Sequence, residues 1–182
     1  AYTSNVTAGQ TFTEDPPLLT ASGAAGLPIT FQRSGVGANP VIAATGGAGT
    51  TDHAFGIRGG NYITVDGIDI NGGAAVEYGY YIANASATVS ANNNTIKNCT
   101  IDLDRTNTNS RGIMCTSSTT GGGFTPTAAS GSNSNNSFLN FTITDVYSGI
   151  FVTSGSTSWP GTGNIVGTEA GGTSTIGADF VG

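Results

Sequence analysis

"VDGIDI" (Val65–Ile70), "IKNCTI" (Ile96–Ile101) and "FLNFTI" (Phe138–Ile143) are apolar at their first, fourth and sixth places, and successive copies are 31 and 42 residues apart. A single register therefore holds Val65, Ile68 and Ile70, then Ile96, Cys99 and Ile101, then Phe138, Phe141 and Ile143. Cys99 fills the slot of Ile68 and Phe141, so it reads as a small inward residue and not as a nucleophile or metal ligand. The third places are Gly67, Asn98 and Asn140, the residue types that best tolerate a left-handed backbone. A bend is expected there, with stacked asparagines exchanging side-chain hydrogen bonds. Asn98 and Asn140 lie in the formal glycosylation patterns "NCT" and "NFT", but as corner residues they would be poor attachment points.

A second motif follows each copy: "YGYYIANAS" from Tyr78, "RGIMCTSS" from Arg111 and "SGIFVTSG" from Ser148, with Gly79, Gly112 and Gly149 aligned. Alternation after each glycine sends Tyr80 and Ile82, Ile113 and Cys115, or Ile150 and Val152 inward. The same two-strand unit thus recurs in order. "ITF" at Ile29, "PVIAA" at Pro40 and "AFGIRG" at Ala54 read as less regular versions of it. Glycine and β-branched residues interrupt every window of helical length, which argues against crossover helices and hence against a doubly wound sheet or a TIM barrel. A hairpin sandwich does not require such recurrence. A parallel β-helix does, because each coil completes its core only by stacking on the next. The expected fold is all-β, a solenoid of one domain over residues 1–182 with coil-to-coil loops of irregular length. Thr116–Asn135 is expected to be the largest projecting loop.

Only 9% of the 182 residues are charged, the formal net charge is −6, and there are 29 glycines. Five Lys and Arg cannot build a basic patch without using nearly all of them, which disfavours nucleic acid and anionic membranes as partners. No run of apolar residues is long enough for a membrane span. Two cysteines are too few for a disulfide framework and lack the partners of a zinc site. The Thr, Ser, Asn and Gly content leans toward an extracellular protein.

The stretches "NYITVDGIDI", "EYGYYIANASAT", "NNTIKNCTIDLDRTNTNSRGI" and "NNSFLNFTITDVYSGIFV" resemble the right-handed parallel β-helix region of large secreted or surface proteins of Bacteroidetes, many associated with type IX secretion. The resemblance covers nearly the whole chain and implies a secreted or cell-surface location. It also implies that the chain is part of a longer protein or assembly. The related pectin lyase-like superfamily brings in polysaccharide cleavage. Its patterns of a basic residue beside calcium-binding acids, or of clustered aspartates, do not carry over onto this sequence.

The individual candidates for chemistry have plain structural readings beside them. Lys97 takes the place of Asp66 one coil earlier, which predicts a surface cross-strand ion pair. Asp102 and Asp104 share an outward face and are the candidates for a weak calcium site, calcium being the one cofactor considered. No column of carboxylates forms across coils, as glycoside hydrolysis would favour. Asp52 and His53 are adjacent, without a nearby activated nucleophile. Trp159, Tyr81 and Tyr78 are the aromatic candidates for carbohydrate contact, with Tyr80 inward.

These features read as a noncatalytic extracellular structural or adhesive β-helix. The alternative is a β-helix that binds or cleaves carbohydrate, with a surface glycan as partner. The unpaired ends of such a stack, with Ile176, Phe180 and Val181 at one of them, predict end-to-end packing on copies of itself or on adjoining domains of a longer chain.

Overall fold

The computed structural model describes residues 1–177, so Phe180 and Val181 lie outside the described residues. The chain makes successive passes through the same three positions. The first pass holds β1 (Tyr2–Thr7) and β2 (Thr11–Phe12), and the second holds β3 (Ile29–Ser34), β4 (Val41–Ala44) and β5 (His53–Arg58). The third holds β6 (Ile63–Asp66), β7 (Asp69–Gly72) and β8 (Tyr78–Ala83). β9 (Thr95–Asp102) and β10 (Arg111–Ser117) form the fourth, and β11 (Ser137–Thr144) and β12 (Ser148–Ser154) the fifth. Short strands β13 (Ile165–Gly167) and β14 (Thr175–Ile176) follow. No α-helix occurs among the described residues.

Every pairing between these strands is parallel. One sheet has two arms, β1-β3-β6 and β2-β4-β7, which meet on β9 and continue onto β11, where β13 and β14 add to the two halves. The other sheet runs β5-β8-β10-β12. The sequence register is the pairing register: Val65 lies beside Ile96 and Ile96 beside Phe138, while Cys99 pairs with Phe141 and Ile101 with both Ile70 and Ile143. In the other sheet Tyr80, Ile113 and Ile150 are aligned, as are Ile82, Cys115 and Val152.

The core lies between the sheets and is one cluster extending from Ile42 to Val146. Burying each Ile, Val or Phe in it contributes about 1.5–3 kcal/mol. The expected bends are present, with φ of 71° at Gly67, 56° at Asn98 and 51° at Asn140. The Asn140 amide donates to Asn98 Oδ1 at 3.0 Å, and the Asn98 amide donates to Asp66 Oδ1 at 2.6 Å. A second column escapes the sequence reading. Ile63 N donates to Asn94 Oδ1 at 2.9 Å, Asn94 N to Asn136 Oδ1 at 3.0 Å and Asn136 N to Asn164 Oδ1 at 3.0 Å. These side chains replace the ladder where the chain turns into each pass, satisfying backbone donors that burial would otherwise strand.

The aligned glycines have a steric cause. A Cβ on Gly112 would stand 2.6 Å from Ile143 Cγ2 and 2.8 Å from the Gly149 carbonyl, and one on Gly79 would stand 2.6 Å from Ile101 Cγ2. The two sheets approach too closely there for any side chain. Gly112→Ala is expected to cost about 1–3 kcal/mol by overpacking. A thermal melt indistinguishable from wild type would contradict the close approach.

Two expectations need correction. Val152 has the inward phase but is 46% exposed, because no strand lies beyond β12 to cover it among the described residues. The Thr116–Asn135 segment does not simply project. It contains 3-10 turns at Thr119–Gly121 and Ala129–Gly131 and folds back onto the second sheet. Asn84 holds it: its amide nitrogen reaches the carbonyls of Phe124 and Gly131 at 2.8 and 2.9 Å, and its Oδ1 accepts from Phe124 N at 2.8 Å.

Candidate functional site

Gly112 and Ile113 both face the core, so strict alternation breaks at this point. The break leaves Arg111 and Met114 on the outer face of the second sheet. The neighbouring strands repeat it, placing Tyr78 and Tyr81 on one side and Ser148 and Phe151 on the other, in register with Arg111 and Met114 respectively. A polar and aromatic outer face results, distinct from the main core.

Tyr78 and Tyr81 do point away from the main core, but they are not open to a ligand along their length. They are 3% and 2% exposed and pack with Met114, Ala83 and Leu18 into a second small cluster. Their rings stack at 5.3 Å and 25°, and His53 lies 5.3 Å from Tyr81. The Tyr81 hydroxyl donates to the Gly121 carbonyl at 3.0 Å and accepts from Arg58 Nη2 at 3.3 Å, while Arg58 also donates to the Gly122 carbonyl. The folded-back loop is the lid that the sequence reading left off these tyrosines. Burial raises the phenol pKa of both; Arg111 opposes this at Tyr78, and the Arg58 hydrogen bond opposes it at Tyr81.

Trp159 is 41% exposed in its turn, whose backbone is tied by Ser132 Oγ and Ser154 Oγ donating to the Trp159 carbonyl at 2.6 and 3.2 Å. Asp102 accepts from Thr144 Oγ1 at 2.9 Å in the next pass. Asp104 accepts from Thr106 Oγ1 and N at 2.6 and 2.8 Å in its own turn, bonds that lower its pKa. The two carboxylates are thus engaged with different partners, and no group of three His, Cys, Asp or Glu among the described residues is placed to hold a metal ion.

Asp52 and His53 diverge. Asp52 Oδ2 accepts from Gly47 N and Gly49 N at 3.1 and 3.0 Å, whereas the His53 ring lies over Gly56 and beside Tyr81. Lys97 is 3.7 Å from Asp66, the cross-strand pair expected, and 3.4 Å from Glu169. Both are surface contacts of small energetic weight.

Cys99 and Cys115 are free and buried, and burial pushes both thiols up to about 12. An unfolded thiol titrates near 8.5. The folded state therefore holds these protons more tightly, and the two sites cost stability as pH rises above about 8.5. Native protein at pH 8 is expected to resist alkylation until denaturant is added. Rapid labelling of either cysteine without unfolding would contradict the burial.

Arg111 and Phe151 are the outer-face residues that sequence reasoning passed over. The available signal was the aligned glycine, which marks where alternation slips and the preceding residue turns outward. Comparison with family models, curated proteins and solved structures gives no match.

Proposed function

We propose that the chain is a stretch of right-handed parallel β-helix acting outside the cell, secreted or on its surface, as a noncatalytic structural or adhesive element that extends by stacking end to end. The observation that carries this reading is the state of the two outermost passes. At the first end, Val6 and Phe12 of the first pass, Phe31, Ile42 and Phe55 of the second and Ile68 of the third, together with Glu14 and Pro16, line a mostly apolar cavity of about 230 Å³. At the last, Val152, Ile165, Val166 and Ile176 are 46%, 55%, 51% and 42% exposed. The last set occupies positions that neighbouring strands cover in the middle of the stack, and the first cavity lies beside β5, the edge strand of its sheet, where the first pass has no third strand among the described residues. A further pass of the same geometry is the occupant that satisfies their apolar surface and their unpaired strand edges together. The resemblance to Bacteroidetes surface proteins supports the extracellular setting.

In the isolated chain that further pass comes from a second copy. Light scattering coupled to size separation, with electron microscopy of the same fractions, is expected to show oligomers or rods that lengthen with concentration. A monomer at every concentration would overturn end-to-end assembly.

A further inference from the structure

The outer face of the second sheet carries a cavity of about 290 Å³ beside Arg111, and its lining includes Tyr78, Met114, Thr120, Phe151 and Thr153. In a chain of net charge −6 no carboxylate lines it among the described residues. Glu77, adjacent in sequence to Tyr78, has its carboxylate oxygens occupied: Oε2 accepts from Asp52 N at 2.9 Å and Oε1 from the Asn107 amide at 3.1 Å. The Arg111 guanidinium stands 5.1 Å over the Phe151 ring, and its Nη1 donates to the Asn109 carbonyl at 2.5 Å. Its Nε has no partner among the described residues. The stacked, half-tethered guanidinium is therefore held in place without a counter-charge, which in most proteins a partly buried arginine has.

Tyr78 lies directly beside Arg111 in the strand register, so a phenol and a guanidinium stand at the same level on adjacent strands. Three residues further on, Met114 and Phe151 are also paired, one strand apart. The cavity thus has a donor end and an apolar end at a fixed spacing. A planar carboxylate fits the guanidinium fork, and a ring attached to it reaches the exposed Phe151 surface beside Met114.

We propose that this cavity binds a small ring-bearing carboxylate, its acid group held by Arg111 and its ring lying on Phe151, with the buried Tyr78 and Met114 forming the cavity wall beneath. The shared chemistry is a carboxylate on one ring, and both an aromatic acid and an acidic sugar supply it. The site lies on the outer face of β8, β10 and β12, with Phe151 and Thr153 facing away from the side on which Val152 of the same strand would meet a stacked pass.

Met114 is the sole methionine, so protein carrying 13C in the methionine methyl gives one resonance from the cavity wall itself. Titration with phenylacetate and, separately, with glucuronate is expected to shift that resonance saturably, with half-effect in the millimolar range or tighter. A response to phenylacetate alone assigns the aromatic source, a response to glucuronate alone the sugar source, and responses to both the ring acid in general. Neutral phenylacetamide should give at least tenfold weaker binding, as should phenylacetate or glucuronate with Arg111→Gln. If Arg111→Gln does not fold, as its melting curve would show, Arg111→Lys keeps the charge and loses the fork, and should weaken binding several-fold. The proposal is overturned if neither acid shifts Met114, if phenylacetamide or inorganic phosphate binds as well as the ring acids, or if the folded Arg111 variant binds as tightly as wild type.

Discussion

Phe141→Ala is expected to destabilise the fold by about 3–5 kcal/mol, the range for deleting a buried aromatic side chain. Phe141 is 2% exposed and pairs with Cys99, so the truncation leaves a void against a small neighbour that cannot expand to fill it. A domain of ordinary stability has about 5–15 kcal/mol in total. The variant should therefore unfold at much lower denaturant concentration, and in the weakest case not fold at all. Thr142 is the next residue on the same strand and is exposed. Thr142→Ala should change stability by less than about 0.5 kcal/mol. Equal denaturation midpoints for the two variants would contradict the inward phase of the fourth slot.

Asn136→Leu carries the second large effect, for a reason unrelated to apolar volume. Asn136 is fully buried; its Oδ1 accepts from Asn94 N, and its amide donates to the Ala91 carbonyl at 3.0 Å. Leucine has similar bulk and leaves both backbone groups bare. Each buried group without a partner costs about 1–3 kcal/mol, so the pair costs roughly 2–6 kcal/mol. Denaturant titration reads this directly. A variant within about 0.5 kcal/mol of wild type would mean that the column of Asn94, Asn136 and Asn164 is incidental.

The contrast between these two residues marks what was legible in the sequence. Phe141 belongs to an apolar pattern that survives changes in loop length, because every pass must present the same side chains to the same core. The bends at Gly67, Asn98 and Asn140 were legible for a similar reason, since few residue types accept a positive φ. Asn136 obeys an equally strict register, two residues before Phe138 as Asn94 is two before Ile96. It was invisible because asparagine is also the commonest filler of this chain's loops, and a buried amide and a solvated one share a letter. β1 and β2 were missed because their end pass has fewer apolar residues to align.

The candidate site was less legible than the fold. Alternation gave the outward direction of Tyr81, while Tyr78 faces outward because alternation slips at Gly79; exposure of either depends on whether a distant segment returns to cover it. That return is made by Asn84, Arg58 and Tyr81 bonding to the Gly121–Phe124 backbone, contacts between residues some forty or more positions apart. No local pattern encodes such a cover. Arg111 lost its meaning in the sequence for the opposite reason: it was counted as one of five scattered cations, while its neighbours Tyr78 and Phe151 lie in other copies of the motif.

In-register parallel pairing between copies 31 and 42 residues apart is tested most directly by backbone NMR contacts. Cross-strand amide-to-Hα contacts are expected along Val65–Ile96, Ile70–Ile101, Ile96–Phe138 and Cys99–Phe141, in the pattern of parallel strands. Strong Hα-to-Hα contacts between sequential strands such as β9 and β10, the signature of antiparallel hairpins, would contradict it.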